Sequence, residues 1–211
     1  MKARKVTTRR ILSLGCAALA FVVATSHLAP AYAGTSSGSF LVAQRSIKAP
    51  PGFSGLCAKY NWACASTGHS ALSNDAVVKL ATKVNRQVNR QVRQIEDQQQ
   101  YGKEEHWALP TSRGGDCEDL VLLKKKMLVE RGVAAQDLLI ATVLDRRLNS
   151  HAVLILRTQS GDLVLDNLTN KIVAWEATGY TFLKLQNPKA LSRWDAVLAG
   201  GLITDKPTAS R

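Results

Sequence analysis

The stretch LLIATVLDRRLNSHAVLILRTQSGDLVLDN, residues 138–167, decides the fold class of this chain. It contains apolar runs of β-type composition, and the triplet SGD at residues 160–162 is a hairpin-turn signal between two of them. Strands joined by such a turn should pair as antiparallel neighbours. With two later runs, five strands are predicted in this half of the chain: residues 138–144, 151–157, 163–165, 180–185 and 193–198.

Upstream of these strands, the apolar spacing changes to three and four residues, which is typical of helices. Ser73-Asn74-Asp75 can cap a helix that we expect to run to about Gln100. A second helix should start at Asp116 or Cys117 and run to about Arg131, with Gly132 as its C-terminal stop. Helices followed by an antiparallel sheet predict the α+β class.

The N-terminal segment, residues 1–33, has the order of a secretory signal peptide. A basic start is followed by about fifteen apolar residues and by the small-residue cleavage site Ala31-Tyr32-Ala33. The apolar run is short for a membrane span, which needs ~20 residues, so an uncleaved anchor is the weaker alternative. The twin-arginine route stays open because of Arg9-Arg10. We therefore expect a periplasmic or secreted protein.

The remaining chain divides into three parts by composition. Residues 34–49 are rich in Ser, Gly and Thr and are predicted to be a flexible segment. Residues 50–200 form the predicted folded domain, and residues 201–211 form a C-terminal tail.

The formal charge of +12 suggests a nucleic-acid partner, but five of these charges belong to residues 1–33. Removing residues 1–33 leaves 23 basic and 16 acidic residues, a charge of +7 over 178 residues. Export and the lack of interleaved aromatic residues favour a solvated helix face over a nucleic-acid interface. The basic residues concerned are Lys79, Lys83, Arg86, Arg90 and Arg93.

Three cysteines remain after the signal is removed. Cys57 and Cys64 lie seven positions apart in a loop-like stretch, so a local disulfide between them is geometrically easy. That pairing leaves Cys117 as an odd thiol, either reactive or simply buried and inert. A zinc site at Cys57, Cys64 and His69 lacks a fourth ligand.

Cys117 is a candidate nucleophile because it stands at a predicted helix N-terminus behind Gly114-Gly115. The free amides and the dipole there stabilise a thiolate and can bind an oxyanion. His151, at a strand start, could transfer the proton, and Asp166, after the neighbouring strand, could orient the imidazole. The turn between the two strands should bring His151 and Asp166 side by side.

Each of these residues also has an ordinary structural explanation, such as a surface histidine or a turn-capping aspartate. Asp162 is an alternative acid, but it lies in the turn at the far end of the hairpin. His69 and His106 are alternative bases, although neither lies on a strand pattern. The combination favours the triad.

The segments GGDCEDLVLLKK, NSHAVLIL and DLVLDNLTNKI resemble the bacterial transglutaminase-like cysteine proteinases, and the resemblance covers roughly residues 50–200. WALP (residues 107–110) and WEATGYTFLKLQ (residues 175–186) extend it. The resemblance implies a papain-like or transglutaminase-like core and a periplasmic thiol peptidase with a Cys, His, Asp triad. Leu120 and His106 depart from it, since aromatic residues are common at these positions in the family.

The resemblance also implies calcium, because members that cut large surface adhesins bind it through acids flanking the nucleophile. The matching positions are Asp116, Glu118 and Asp119. Three carboxylates so close together repel one another, which a hard cation would relieve. Alternatively, Asp116 caps the helix while Glu118 and Asp119 interact favourably with its dipole.

These observations together predict an exported thiol peptidase that acts on a protein or peptide, with a surface adhesin as one candidate. The same triad would serve a transglutaminase or amidase, and a non-catalytic module that binds calcium or a protein is a third alternative. No nucleic-acid partner is expected. An inner-membrane regulatory protein and the oligomeric state stay open.

Overall fold

The computed structural model describes residues 39–65 and 68–203. A seven-stranded sheet, in the order β1-β7-β6-β2-β3-β4-β5, pairs all its neighbouring strands antiparallel. The strands are β1 (Arg45–Ile47), β2 (Leu138–Leu144), β3 (Ser150–Thr158), β4 (Gly161–Leu165), β5 (Val173–Ala174), β6 (Thr181–Asn187) and β7 (Ala190–Ala199).

The helices precede most of the sheet in sequence and cover one of its faces. They are α1 (Leu56–Lys59), α2 (Asn74–Gln91), α3 (Asp97–Tyr101) and α4 (Cys117–Val129). Helix α4 packs against both β3 and α2, which places its first residue beside the central strands. Among the described residues, no helix combines the length and the apolar character that crossing a membrane requires.

Alternating side chains of the central strands fill two separate cores. Leu154 and Leu156 of β3 face the helices, whereas Val153 and Ile155 face the other side of the sheet. This alternation follows from the period of two residues in a strand. The second core is completed by Leu41, which is only 4% exposed.

The predicted α+β class is confirmed, and all five predicted strands form within three residues of their expected bounds. The predicted hairpin between β3 and β4 forms, with Thr158 opposite Gly161. Strands β1 and β5 were not predicted, because runs of three and two residues carry almost no periodic signal.

The prediction of one helix from residue 73 to about Gln100 is wrong. Helix α2 ends at Gln91, because Val92 turns into an extended conformation with φ −100° and ψ 119°. The next residues then bond to the chain just before α4: Gly115 N–H donates to the Arg93 carbonyl at 3.1 Å, and Ile95 N–H donates to the Gly115 carbonyl at 3.1 Å. Tertiary pairing thus replaces the last turns of the predicted helix.

Of the segment predicted to be flexible, residues 34–49, the structure describes residues 39–49, which contact the sheet. β1 pairs with β7, and Leu41 N–H donates to Asp162 Oδ2 at 2.9 Å. Burial of Leu41 supplies the physical reason. The predicted signal peptide (residues 1–33), residues 34–38 and residues 204–211 of the predicted tail lie outside the described residues.

The predicted disulfide between Cys57 and Cys64 is confirmed. It closes a short helical segment rather than a plain loop, since Cys57 lies within α1 and a single 3-10 turn (Asn61–Ala63) precedes Cys64.

Candidate active site

Helix α4 starts at Cys117 because a glycine pair lets three chain segments approach closely. Gly114 has φ 128°, and a Cβ there would lie 2.0 Å from the Arg93 carbonyl oxygen. A Cβ on Gly115 would lie 2.5 Å from Asp119 Oδ2. Larger residues would therefore push the start of the helix away from its neighbours.

Cys117 is the unpaired thiol among the described cysteines, and it is partly buried. Its Sγ lies 2.9 Å from Glu118 Oε2 and accepts a hydrogen bond from the Ala152 backbone N–H. It lines a cleft of about 170 Å³ together with His151 and Trp107. Burial and the Glu118 carboxylate raise the pKa of this thiol well above its usual value, whereas the Ala152 N–H lowers it.

His151 and Asp166 are joined directly: Nε2 of the imidazole lies 2.8 Å from Asp166 Oδ1. Asp166 also accepts hydrogen bonds from the Tyr180 hydroxyl at 2.6 Å and the Leu168 N–H at 3.0 Å. Burial opposes the charged carboxylate, but the hydrogen bonds, that of His151 first, hold the pKa of Asp166 below its usual value. The acid is therefore an anion fixed by three donors.

The fold thus brings the predicted Cys117, His151 and Asp166 into one region, with the first two lining the same cleft. The antiparallel register contributes to this: Leu165, at the end of β4, lies opposite Leu154, three residues after His151, and Asp166 follows Leu165 at the same end of the hairpin.

The alternative acid and bases lie elsewhere. Asp162 is buried in an ion pair with Arg157, at 2.8 Å, and supports the N-terminal segment. His69 is exposed. The His106 ring packs against Tyr101 with centroids 4.5 Å apart.

A buried cluster of acids surrounds the nucleophile, but its membership differs from the predicted set. Carboxylate oxygens of Asp97, Asp116 and Glu118 all lie within 4.8 Å of one another. Asp119 instead accepts the Ala108 N–H through Oδ1, at 2.8 Å, while its Oδ2 is buried without a hydrogen-bond partner among the described residues. Asp116 Oδ1 is likewise buried and unpartnered there.

The crowding of these carboxylates raises their pKa values. Burial, reinforced by neighbouring carboxylates, raises the pKa of Asp116 to about 6 and that of Glu118 to about 9. Burial also raises the pKa of Asp119 to about 7. Such a site favours either protons or a cation.

Sequence reasoning missed Asp97 and Tyr180. The apolar spacing places Asp97 within the long predicted helix, yet this residue follows the break at Val92 and begins α3 beside Asp116. Its carboxylate also accepts the His106 backbone N–H. The break itself carries no local signal, and the stretch WEATGYTFLKLQ gives no local sign of the role of Tyr180.

The chain matches one protein family and is similar to several solved structures. Residues 43–201 match the family described as bacterial transglutaminase-like cysteine proteinase. A search of the curated proteins gave no match. Among solved structures, EGTA-treated LapG of Legionella pneumophila is 28% identical over 53% of this chain and 63% of its own chain, with a TM-score of 0.47. Calcium-bound LapG of the same organism is 26% identical over 63% of this chain and 80% of its own, with a TM-score of 0.49.

The chain therefore spans less than two thirds of the length of the first of these structures. The family match covers three quarters of this chain. It includes every residue of the cleft named above. On this evidence the chain belongs to the family of bacterial transglutaminase-like cysteine proteinases.

Proposed function

We propose that the protein is an exported thiol endopeptidase with Cys117 as nucleophile, His151 as general base and Asp166 as the orienting acid. The observation that carries this proposal is the 2.8 Å hydrogen bond between His151 and Asp166 beside a cleft that contains the unpaired Cys117 thiol. A nucleophile, a base and a group that orients the base form the arrangement required for covalent catalysis by a thiol.

The hydrogen bonds assign a role to each ring nitrogen of His151. Nε2 is occupied by Asp166, so Nδ1 is left to accept the proton of Cys117. The thiolate sulfur attacks the peptide carbonyl, and the imidazolium returns the proton to the leaving amine. Water, deprotonated by His151, then hydrolyses the thioester and releases the second product.

The start of α4 offers a donor for the developing oxyanion. The backbone N–H of Cys117 belongs to the first turn, where amides lack partners within the helix. The Asp116 side chain makes no capping hydrogen bond there. A donor aimed at the oxyanion typically contributes about 3 to 4 kcal/mol to the transition state.

We include calcium in the proposal, held by Asp97, Asp116 and Glu118, with Asp119 as a further candidate ligand. The donor set fits: calcium prefers carboxylate oxygens, and buried Asp116 Oδ1 and Asp119 Oδ2 lack partners among the described residues. When bound, the ion would supply positive charge that offsets these acids.

The link from this cluster to catalysis is Glu118. Its Oε2 lies 2.9 Å from Cys117 Sγ, so a cation held by Glu118 would lie close to the thiol. The positive charge of that cation would favour the thiolate, and Cys117 would ionise more readily. Calcium removal should therefore lower the reactivity of Cys117.

The decisive experiment measures the rate at which a peptidyl chloromethyl ketone alkylates Cys117 in the presence of calcium. We expect His151→Ala to slow labelling by about 100-fold or more, because general-base catalysis contributes about that factor. His69→Ala is the matched control, since this exposed histidine lies outside the cleft. EGTA should slow labelling of the wild type, and added calcium should restore it.

Equal labelling of wild type and His151→Ala would overturn the triad. Insensitivity to EGTA and calcium would overturn the calcium part alone. In the same assay, incorporation of a fluorescent primary amine in place of hydrolysis would identify a transglutaminase.

Export and substrate complete the proposal. The signal-like residues 1–33 support cleavage after Ala33, so N-terminal sequencing of the periplasmic form should start at Gly34. The family resemblance supports a surface adhesin as substrate and an inner-membrane protein as regulator. An uncut surface protein that accumulates in a Cys117→Ala strain would identify the substrate, and cross-linking in intact cells would test the regulator.

A further inference from the structure

Helix α2 carries a row of four exposed cations, Lys79, Lys83, Arg86 and Arg90. They are spaced by four, three and four residues, so all four lie on one face of the helix. Like charges at these spacings destabilise a helix. The row therefore has an energetic cost that the fold of α2 does not explain.

This row lacks the acids that normally accompany basic residues on a solvated helix. Asp75, in the first turn, is the one acid among the 18 residues of α2. None of the four cations forms an ion pair with another described residue. By contrast, Lys126 is paired with Glu130, and Arg157 with Asp162. The charge of the row is therefore uncompensated within the described part of the chain.

The row lines a groove of about 510 Å³ on the surface of the domain. The loop that follows Asp166 contributes a further lining residue, Asn170. We call this site the basic groove, and it is lined by Lys79, Thr82, Lys83, Arg86, Arg90 and Asn170. Every charged side chain that lines it is thus a cation.

Hydrogen bonds fix the two elements of the basic groove to each other. Asn89 Nδ2 donates to Asn170 Oδ1 at 3.2 Å and to the Asp166 carbonyl at 2.9 Å. Asn85 Nδ2 donates to the Thr169 carbonyl at 3.2 Å. Because α2 and the loop are already held together, a ligand would bind without first ordering the backbone of the groove.

We propose that the basic groove binds an acidic polypeptide segment of a partner protein. Lys79 and Arg90 are 11 residues apart, a distance of about 16 Å along the helix axis. An extended segment of about five residues spans that length, so several carboxylates can each meet a cation. The groove shares no lining residue with the cleft that contains Cys117, so this inference does not depend on the proposed catalytic function.

The structure favours a polypeptide over the two other common polyanions. A helix that lies on a membrane buries its apolar face in lipid, but the apolar residues Val84 and Val88 of α2 pack in the core beside α4. Proteins that bind single-stranded nucleic acid stack the bases on aromatic side chains, and none lines the groove. The carboxylates of an extended peptide require neither feature.

The test measures the binding of fluorescein-labelled hexaglutamate to the mature protein by fluorescence anisotropy, with labelled hexaglutamine as the uncharged probe. Lys83→Gln/Arg86→Gln removes two charges of the groove, and the matched control Lys189→Gln/Arg193→Gln removes two exposed charges outside it. We expect the first variant to bind hexaglutamate about 10-fold more weakly, as the loss of two exposed charge pairs implies. The control should bind as the wild type does, and wild-type affinity should fall as salt is added.

Absence of hexaglutamate binding, or an equal loss of affinity in both variants, would overturn the inference. Binding to phosphatidylglycerol vesicles in place of hexaglutamate would overturn it in favour of a membrane surface. Self-association that the Lys83→Gln/Arg86→Gln variant abolishes would overturn it in favour of a second copy of this chain. If that variant does not fold, Lys79→Gln/Arg90→Gln provides the same comparison.

Discussion

Buried carboxylates close to Cys117 make stability depend on pH in an unusual direction. Most carboxylates in folded proteins have lowered pKa values and lose stability in acid. Here burial raises the pKa of Asp116, Glu118 and Asp119, so the folded protein retains protons that the unfolded chain has released. The contribution of these three carboxyl groups to the free energy of unfolding is therefore fully present below about pH 4, and it is lost as the pH rises through their pKa values in the folded protein.

We predict that the free energy of unfolding of the calcium-free protein falls as pH rises from about 4 to about 9. Asp116 alone, whose pKa moves from 3.8 to about 6, corresponds to about 3 kcal/mol. Urea unfolding in EGTA across this range measures the effect. Calcium at about 100 times its Kd should add about 2.7 kcal/mol near pH 8.

Asp116→Asn is the control, because a neutral amide cannot release a proton. It should flatten the pH dependence in EGTA and weaken the calcium effect. A stability that rises with pH in the wild type without calcium would contradict the assigned pKa directions.

At the level of elements, the short bridge between residues 93–95 and Gly115 joins the end of α2 to the start of α4. It brings Asp97 to Asp116 and sets the direction in which α4 begins. We predict that Gly115→Ala lowers kcat by about 10- to 100-fold, since its Cβ would meet Asp119 Oδ2 at 2.5 Å. Steady-state kinetics measure kcat, and calcium titration measures the affinity of the acidic cluster for calcium.

Gly132→Ala is the matched substitution. Gly132 has φ +87°, and a Cβ added there would have no atom within 4 Å, so only the backbone strain is felt. This variant should lose about 1 kcal/mol of stability and keep its kcat. Equal kcat loss in both variants would mean that the Gly115 contact has no special role.

Features set by local interactions were predicted correctly from the sequence, whereas those set by pairing between distant residues were not. The hairpin from His151 to Asp166 was predicted correctly because a turn signal and a period of two are local properties. The end of α2 was not, because Val92 and Ile95 continue its apolar spacing and the break depends on pairing with Gly115. Asp97 was missed for the same reason.

At the scale of the whole molecule, residues 39–49 cover part of the sheet face opposite the helices. Leu41 fills that core, and its backbone is bonded to the ion pair of Asp162 and Arg157. Leu41 N–H donates to Asp162, and Arg157 donates to the Leu41 carbonyl. The segment therefore belongs to the folded domain, although its composition is that of a linker.

We predict that Asp162→Ala destabilises the protein by about 3 kcal/mol, because it leaves Arg157 partly buried without its partner. The rate of Cys117 labelling in the fraction that stays folded should not change, since Asp162 lies at the far end of the hairpin. Thermal unfolding and alkylation measure the two effects. Lys126→Ala, which breaks the exposed Lys126–Glu130 pair, should cost less than about 1 kcal/mol.

The two outermost strands of the sheet are its shortest, with three residues in β1 and two in β5. An unpaired strand edge is a template on which another chain can add a strand, and short edge strands reduce that hazard. In the described part of the chain, the longer strands all lie inside the sheet, between partners. We therefore expect edge-to-edge strand addition to be a minor route of self-association for the folded protein.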